Sequence, residues 1–313
     1  MSKVVIAIGG NSLIADKEHQ SVADQYEAAA VTDQHIAELV KDGWDVAISH
    51  GNGPQVGFIM RRSELSRHEL HEVPMDVAGA DTQGAIGYAL QQNLINDFRA
   101  MGIDKPVATV VTQVEVSPDD PAMINPSKPI GTFLEEEEAK RRQTEEGWSI
   151  KEDAGRGWRR VVASPQPQRI VEIDVIRQLI DSGVVVICVG GGGIPVVADD
   201  NGDLHGVAAV IDKDLASALL ALEIDADMLL ISTAVEKVAL NYGKPNEEWV
   251  DRLTLAEVKQ RLAEGGHFAE GSMAPKMRAV VKFLDGGGRE ALITNPENIE
   301  RAVAGETGTR IVA

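Results

Sequence analysis

Three times along this chain an apolar run of strand length ends directly in a dense glycine turn. Residues 4–8 run into Gly9-Gly10-Asn11, residues 46–49 into the stretch from Gly51 to Gly57, and residues 184–189 into Gly190-Gly191-Gly192-Gly193. Longer amphipathic segments lie between them. Short apolar runs alternating with such segments from end to end form the pattern of parallel strands joined by crossover helices, so the expected fold class is α/β. The glycines bear on function as well. Without a Cβ the backbone approaches a ligand closely and turns its N–H groups inward, and a helix starting just beyond adds partial positive charge. Each turn is therefore a candidate cradle for a phosphate or carboxylate.

Two units show the rhythm. In residues 31–42, Ile36, Leu39 and Val40 fall at i, i+3 and i+4, Gly43 closes the helix, and residues 44–49 read as the next strand. Residues 170–182 place Ile173, Ile176, Leu179 and Ile180 on one face before Gly183, and residues 184–189 are apolar enough for a central strand. Later, residues 228–232 read as a strand, and Thr254-Leu255-Ala256-Glu257 opens a helix with a capping box. A helix over 275–284 starts at Pro275, and residues 291–294 and 299–304 finish the chain as strand and helix. The rhythm breaks at about 117–168, where prolines, acidic runs and arginines replace apolar periodicity, and an inserted subdomain is expected there. Within it Glu136, Glu137 and Glu138 precede Lys140, Arg141 and Arg142 by four residues each, the order of a salt-bridged, exposed helix. Arg156, Arg159 and Arg160, beside Gly155 and Gly157, are expected in an exposed loop, with contact to phosphate as the alternative.

Charge narrows the partners. The 49 Asp and Glu outnumber the 30 Lys and Arg for a formal net charge of -19, which repels nucleic acid and anionic membranes and leaves anion binding to local lysines. No apolar run approaches the ~20 residues of a membrane span. The first residues lack the length of a signal segment, and the single cysteine, Cys188, sits in an apolar run where it is expected to be buried and inert. These features fit a soluble cytoplasmic protein.

The common phosphate-loop pattern is absent. The stretch from Gly51 to Gly57 is one residue off the dinucleotide fingerprint, which keeps a dehydrogenase in view, although Pro54 supplies no N–H. His68-Glu69-Leu70-His71 spaces its histidines three apart, not the four of a zinc-protease helix, and reads as a solvated helix face. His50, ending a strand, reads as hydrogen-bonded scaffold. Three lysines are harder to set aside: Lys128 between Pro126 and Pro129, Lys213 with Asp214 before the apolar segment 215–222, and Lys276 where a glycine turn meets a helix start. Singly, a lysine before a helix is ordinarily solvated, and Asp214 is an ordinary N-terminal residue. Glycine loops plus separated lysines, however, supply positioning and positive charge, which phosphoryl transfer needs above all.

At these residues the chain resembles the carbamate kinases, a branch of the amino acid kinase family, nearly end to end. The strings that carry the resemblance begin with Gly9-Gly10-Asn11-Ser12-Leu13, His50 to Gly57, Asp76 with Gly79-Ala80 and Gln83-Gly84, and Thr112-Gln113-Val114. They continue with Asn125 to Gly131, Asp153 to Gly157, Gly190 to Pro195, Ile211 to Asp214, Asn241 to Pro245, and Gly271 to Lys276. The resemblance implies a single amino acid kinase domain over 1–313, a three-layer α/β/α sandwich with a mainly parallel sheet. It implies an N-terminal half for the phosphoryl acceptor, a small protruding subdomain at about 117–168, a nucleotide-binding part at about 212–313, and a homodimer. The implied reaction is ATP plus carbamate giving ADP plus carbamoyl phosphate, run in cells mainly toward ATP in arginine or related nitrogen catabolism.

By the same resemblance Gly9, Gly10, Asn11, Gly51, Asn52 and Gly53 hold the acceptor or the moving phosphoryl group, and Lys128 reaches in from the protrusion. Lys213 and Lys276 stabilise the transition state, with Asp214 orienting both. The nucleotide lies near Gly191, Gly192, Ala234, Tyr242 and Met273, and Mg²⁺ is carried mainly on its phosphates. Two departures stand out. Ala7 occupies the place of the lysine usual in the wider family, a loss shared by carbamate kinases, and Ala234 stands where many relatives carry Asp. The alternatives are another acid kinase of this family, or a nucleotide-binding sensor that has lost catalysis.

Overall fold

The computed structural model describes residues 2–10, 13–14, 16, 18–152 and 157–313. Strand β1 (Lys3–Ile8) leads through the first glycine turn to α1 (Val22–Lys41), and β2 (Asp45–His50) leads to α2 (Gly53–Ser66) and the long α3 (Met75–Met101). Next come β3 (Val107–Thr109), β4 (Gln113–Val116), α4 (Pro121–Ile124), β5 (Lys128–Leu134), α5 (Glu136–Glu146), β6 (Ser149–Glu152), β7 (Trp158–Val162) and β8 (Pro167–Ile170). The chain then returns through α6 (Ile173–Asp181), β9 (Val185–Ile187), β10 (Ile194–Ala198), β11 (Leu204–Gly206), α7 (Lys213–Glu223) and β12 (Met228–Ser232). It ends with β13 (Val238–Leu240), β14 (Glu248–Val250), β15 (Arg252–Thr254), α8 (Leu255–Glu264), α9 (Met273–Asp285), β16 (Glu290–Thr294), α10 (Ile299–Val303) and β17 (Thr309–Val312).

The main sheet has the order β15-β17-β16-β12-β1-β2-β9-β3, and its only antiparallel pair among the described residues is β16 with β17. Side chains alternate across it with the two-residue period of a strand. Val4, Ile6 and Ile8 of β1 join Val46, Ile48, Leu230 and Leu292 in a core closed by α1, α3 and α10. Val5 and Ala7 join Ala47, Leu229, Ile231 and Ile293 in a second core closed by α6, α7, α8 and α9. These are the three layers of an α/β/α sandwich. A buried strand pattern on both faces accounts for the continuous apolar runs in the sequence.

A second sheet, β11-β10-β4-β8, carries the neck of the insertion. There β4 and β8 pair antiparallel, so the chain leaves after Val116 and is back in register by Pro167. Beyond the neck stands a small sheet, β5-β7-β6, with α5 packed beside it. On α5 the pairs Glu136–Lys140 (2.6 Å) and Glu138–Arg142 (2.8 Å) form at the expected spacing. Arg141 instead turns to Glu138 at 2.8 Å and to Glu145. Arg159 and Arg160 lie on β7 and not in a loop, while Asp153 to Arg156 fall outside the described residues.

Several boundaries differ from the sequence reading for identifiable reasons. Helix α1 starts nine residues earlier than residue 31, at a Ser21 cap that forms a capping box with Asp24. Its first half is alanine-rich and has helix propensity without periodicity. Ile170 closes β8, so α6 begins at Ile173. Helix α9 begins at Met273, leaving Pro275 inside the first turn, where a missing N–H costs nothing. The capping box at Thr254 and Glu257 forms as expected. Strand β17 follows α10, so the chain ends on a strand. The sequence 68–71 follows α2 as a turn instead of continuing a helix.

One buried group works against stability. Asp33 of α1 is fully buried and neither carboxyl oxygen has a well-formed hydrogen bond. Burial raises its pKa well above the usual carboxylate range, the Asp97 carboxyl on α3 adds to the rise, and Asn93 offsets only part of it. A carboxyl raised in the folded state binds its proton more tightly there than in the unfolded chain. Its contribution to stability is thus fullest below the unfolded value and is lost as pH climbs through the folded one. The variant Asp33→Asn is expected to melt roughly 2–6 °C higher than the wild type at pH 7. Thermal melts should show that gap closing toward pH 4, and an unchanged or lower melting point at pH 7 would contradict this account.

Candidate active site

Strands β12, β1 and β2 are parallel neighbours, so Ser232, Ile8 and His50 finish side by side on one edge of the sheet. The loops that follow are therefore adjacent, at the carboxyl edge where open α/β sheets bind ligands. Gly51 N donates to Ile8 O at 2.9 Å. A Cβ on Gly9 would sit 2.8 Å from the Ser232 carbonyl oxygen, and one on Gly51 would sit 3.4 Å from Cδ of Lys213 and 3.8 Å from Gly10 N. The first two glycine turns thus meet each other and the Lys213 stem. Helix α2 opens at once, with Gly53 as its first residue and Pro54 in its first turn. The Asn52 side chain is committed elsewhere, donating to Thr82 Oγ1 at 2.8 Å, so what this loop presents is backbone. Asn11 lies outside the described residues.

Helix α7 supplies the charged centre. Its cap is Asp212, whose carboxylate accepts from Asp214 N at 2.9 Å and Leu215 N at 3.3 Å. Lys213 and Asp214 follow in the first turn. Lys213 Nζ donates to Asp214 Oδ1 at 2.5 Å, and Lys276 Nζ, from the start of α9, donates to Asp214 Oδ2 at 3.1 Å. Both lysine side chains are 14% exposed and that of Asp214 is 5% exposed. Burial alone would raise the Asp214 carboxyl, but Lys213 and Lys276 together hold it down at about 2. Burial lowers the pKa of Lys213, with Lys276 adding to the fall and Asp214 opposing it. Two cations at two helix N-termini oppose the helix dipoles, so the centre retains strong affinity for a further anion.

Helix α7 is held in place from below. Ser217 Oγ donates to the Lys213 carbonyl at 2.6 Å and shares a 2.6 Å hydrogen bond with Ser49 Oγ of β2, both fully buried. Ala216, Ala218, Leu220 and Ala221 are fully buried as well, so the helix is apolar nearly all round. From the protruding subdomain, Lys128 Nζ donates to Ile211 O at 3.0 Å and stands 3.7 Å from Asp212 Oδ2. Burial lowers its pKa too, against the pull of Asp212 and Asp214. The sequence reading brought these three lysines and Asp214 to attention and missed Asp212, Ser217 and Ser49. Asp212 was legible as a helix cap; the serine pair lies 168 residues apart and left no local signal.

The third glycine turn does something different. No helix follows it: Gly190 to Gly192 form a 3-10 turn and β10 begins at Ile194. All three are buried. Gly191 has φ +68°, and a Cβ there would lie 2.1 Å from Asn52 Nδ2, while one on Gly192 would lie 2.8 Å from Ile211 O. These glycines make a close packing turn, and the expectation that Gly191 and Gly192 lie near the nucleotide is not addressed by that packing. Gly191 and Gly192 lie beneath the second glycine loop and the Ile211 string and hold the two together. Gln83 ties in the turn from α3, its Nε2 donating to Gly190 O and Thr112 O, each at 3.0 Å. His50 Nδ1 donates to Gly51 O at 3.0 Å, and burial pushes its pKa down to about 4, so it stays neutral as scaffold.

The remaining expected nucleotide contacts lie on the α9 side. Ala234 is exposed on the loop after β12, and Met273 opens α9. Tyr242 is exposed on the turn after β13, its ring edge-on to Trp249 at 6.3 Å. Val235, Glu236, Lys237 and Trp249 line a cavity of about 380 Å³ between them.

Known proteins share this fold. The amino acid kinase family model matches residues 2–295. The carbamate kinase of Thermococcus kodakarensis is 48% identical over 315 residues, covering 100% of this chain and 99% of that protein. The carbamate kinase-like protein YqeA of Escherichia coli is 52% identical, covering 99% of this chain and 98% of its own. The structure of carbamate kinase from Giardia lamblia bound to AMP-PNP superposes with a TM-score of 0.92 at 42% identity, over 99% of this chain and 98% of that one. The dehydrogenase reading of the Gly51 to Gly57 stretch lapses, and the chain belongs to the amino acid kinase family, on its carbamate kinase branch.

Proposed function

We propose that this chain is a carbamate kinase, moving a phosphoryl group reversibly between ATP and carbamate, with ADP and carbamoyl phosphate as the other pair. The observation that carries the reading is the buried Asp214 bridging Lys213 and Lys276 beside Gly51. Carbamate already bears an anionic oxygen, so the reaction needs no general base, and a neutral, buried His50 is no obstacle. What it needs is charge compensation as electron density gathers on the moving phosphoryl oxygens. Lys213 and Lys276 supply it from two helices, and Asp214, an acceptor on both oxygens, keeps them from drifting apart.

The acceptor is held by backbone N–H groups at Gly9, Gly10 and Gly53 with the start of α2, together with Asn11, while Gly51, whose own N–H goes to Ile8 O, lets the loop come close. Lys128 exchanges its Ile211 carbonyl for substrate oxygen. The nucleotide lies toward Ala234, Tyr242 and Met273. Among the described residues no group of three or more His, Cys, Asp or Glu side chains is gathered as a metal cage. The nearest carboxylates, Asp212 and Asp214, are committed to N–H groups and lysines. Mg²⁺ therefore fits this site as a passenger on the nucleotide phosphates, where it would neutralise charge between the β and γ groups. We assign the cellular direction as ATP synthesis in nitrogen catabolism, in the cytoplasm.

We further propose a homodimer through the outer face of α3. Tyr88 is 58% exposed, Ile95 39% and the nearby Val111 54%, around a depression of about 440 Å³ that also includes Gly84 and Gln92. Beside it lies β3, a short edge strand of the main sheet. Light scattering on the eluting protein is expected to give twice the chain mass, and Tyr88→Arg the single mass. A monomeric wild type at micromolar concentration would refute this interface.

ATP formation from ADP, carbamoyl phosphate and Mg²⁺ tests the activity. The wild type should synthesise ATP, and Lys213→Ala should lose roughly a hundredfold or more in rate while still binding ADP. A folded wild type that binds ADP but makes no ATP would point to another acceptor or to a sensor, and near-normal turnover in the variant would remove Lys213 from the mechanism.

The pH profile carries a separate test. Catalysis needs protonated lysines, and burial lowers Lys213 and Lys128 from their ordinary values, so the rate should fall with rising pH below the free-lysine value of about 10.4. Asp214→Asn removes the charge that opposes this lowering, so its basic limb should move to still lower pH, on top of a large loss of rate. Coincident limbs in the two proteins would show that Asp214 does not govern the lysines' protonation.

A further inference from the structure

A wide crevice lies away from the lysines. Adjoining cavities of about 450, 530 and 200 Å³ open where α2 and the start of α3 meet the subdomain, and Trp148 and Arg160 line all three. Their other walls include Val56 and Met60 of α2 and Ile130 and Phe133 of β5.

Two guanidinium groups pack on the Trp148 ring, Arg142 at 4.6 Å and Arg160 at 4.7 Å from its centre. Their circumstances differ. Arg142 stands among three carboxylates, with Glu138 at 2.8 Å, Glu64 at 3.2 Å and Glu146 at 3.5 Å. Arg160 has its ring contact but, among the described residues, no hydrogen bond or ion pair, although Glu64, Glu146 and Glu72 are near enough to favour its charged form. It is nonetheless partly buried, and that burial lowers its pKa. Strand β7 and the Trp148 face fix the group in place, so a ligand would find its donors already oriented.

A partly buried guanidinium without a protein acceptor turns its fork of N–H donors to the crevice, and a carboxylate fills such a fork with two parallel bonds. The apolar walls and the indole suit a carbon skeleton of modest size. Glu64, Glu146 and Glu72 act on Arg160 and Glu138 pairs with the adjoining Arg142, and the repulsion of these carboxylates weighs about twice as heavily on a dianion as on a single charge. We propose that this crevice binds a small organic monocarboxylate, its carboxylate on Arg160 and its carbon skeleton against Trp148 and Met60. Ile130 follows Lys128 by two residues on β5, so an occupant would bear on the strand that carries that lysine. The site stands whether or not carbamate is the phosphoryl acceptor, because binding is measured directly.

The test is calorimetric titration of the full chain with acetate, hexanoate and 3-phenylpropionate, with inorganic phosphate for comparison. The two larger carboxylates should bind saturably, about tenfold or more weakly in Arg160→Gln. Met60→Trp, which fills the crevice and keeps Arg160, should abolish the binding, and it decides the matter if Arg160→Gln fails to fold. No saturable binding by any carboxylate, or binding untouched by Met60→Trp, would overturn the proposal. Arg160-dependent binding of phosphate in preference to the carboxylates would overturn the monocarboxylate assignment.

Discussion

The contact on which the site depends is the carboxylate of Asp214 between two ammonium groups, at 2.5 and 3.1 Å. Charges this deeply buried are unfavourable unless paired, and taking one partner from a buried ion pair costs roughly 3–5 kcal/mol. Here a single acceptor serves two donors, one on α7 and one on α9. The register of those two helices is therefore fixed by electrostatics as well as by packing. Because one negative charge meets two positive ones, the cluster stays net positive, and a phosphoryl group arriving there completes the pairing.

Everything beneath this contact is arranged to hold it still. The parallel order β12-β1-β2 brings three loop starts to one edge, and the apolar surround of α7 leaves that helix no freedom to rotate. The Ser217 and Ser49 hydroxyls join the first turn of α7 to the strand whose next residue is Gly51. The buried turn at Gly190 to Gly192 then wedges the Gly51 loop against Ile211, one residue before the α7 cap. The same strand, turn and helix that make the core thus set the distances at the lysines.

What the sequence made legible follows from this. Period-two and period-3.6 patterning exposed the α/β alternation, and Thr254 with Glu257 marked a helix start to the residue. Lys128, Lys213, Asp214 and Lys276 were legible as chemistry because each sits in a distinctive short string, and the structure brings Lys213, Asp214 and Lys276 into direct contact. The glycines of residues 190–193 are ambiguous in sequence, because a tight buried packing turn and a ligand cradle draw on the same residue type for the same steric reason. Arg160 misled: an arginine following Arg159 a few residues after Gly155 and Gly157 reads as solvated loop, and only the tertiary meeting of β7 with Trp148 and α2 reveals it as a constrained cation.

A chain of formal net charge -19 that handles anions faces an electrostatic conflict, and its resolution is local. Over distances beyond a Debye length of about 8 Å, salt screens the acidic surface. Inside that distance the field near Gly51 is set by the start of α2, by the starts of α7 and α9, and by lysines shielded from water. Low exposure strengthens each of these contributions relative to the distant carboxylates. Burial that weakens each lysine's hold on its proton also deepens its attraction for an anion while protonated. Asp214 keeps those two tendencies in balance, which is why one carboxylate, and not a third lysine, occupies the middle of the cluster.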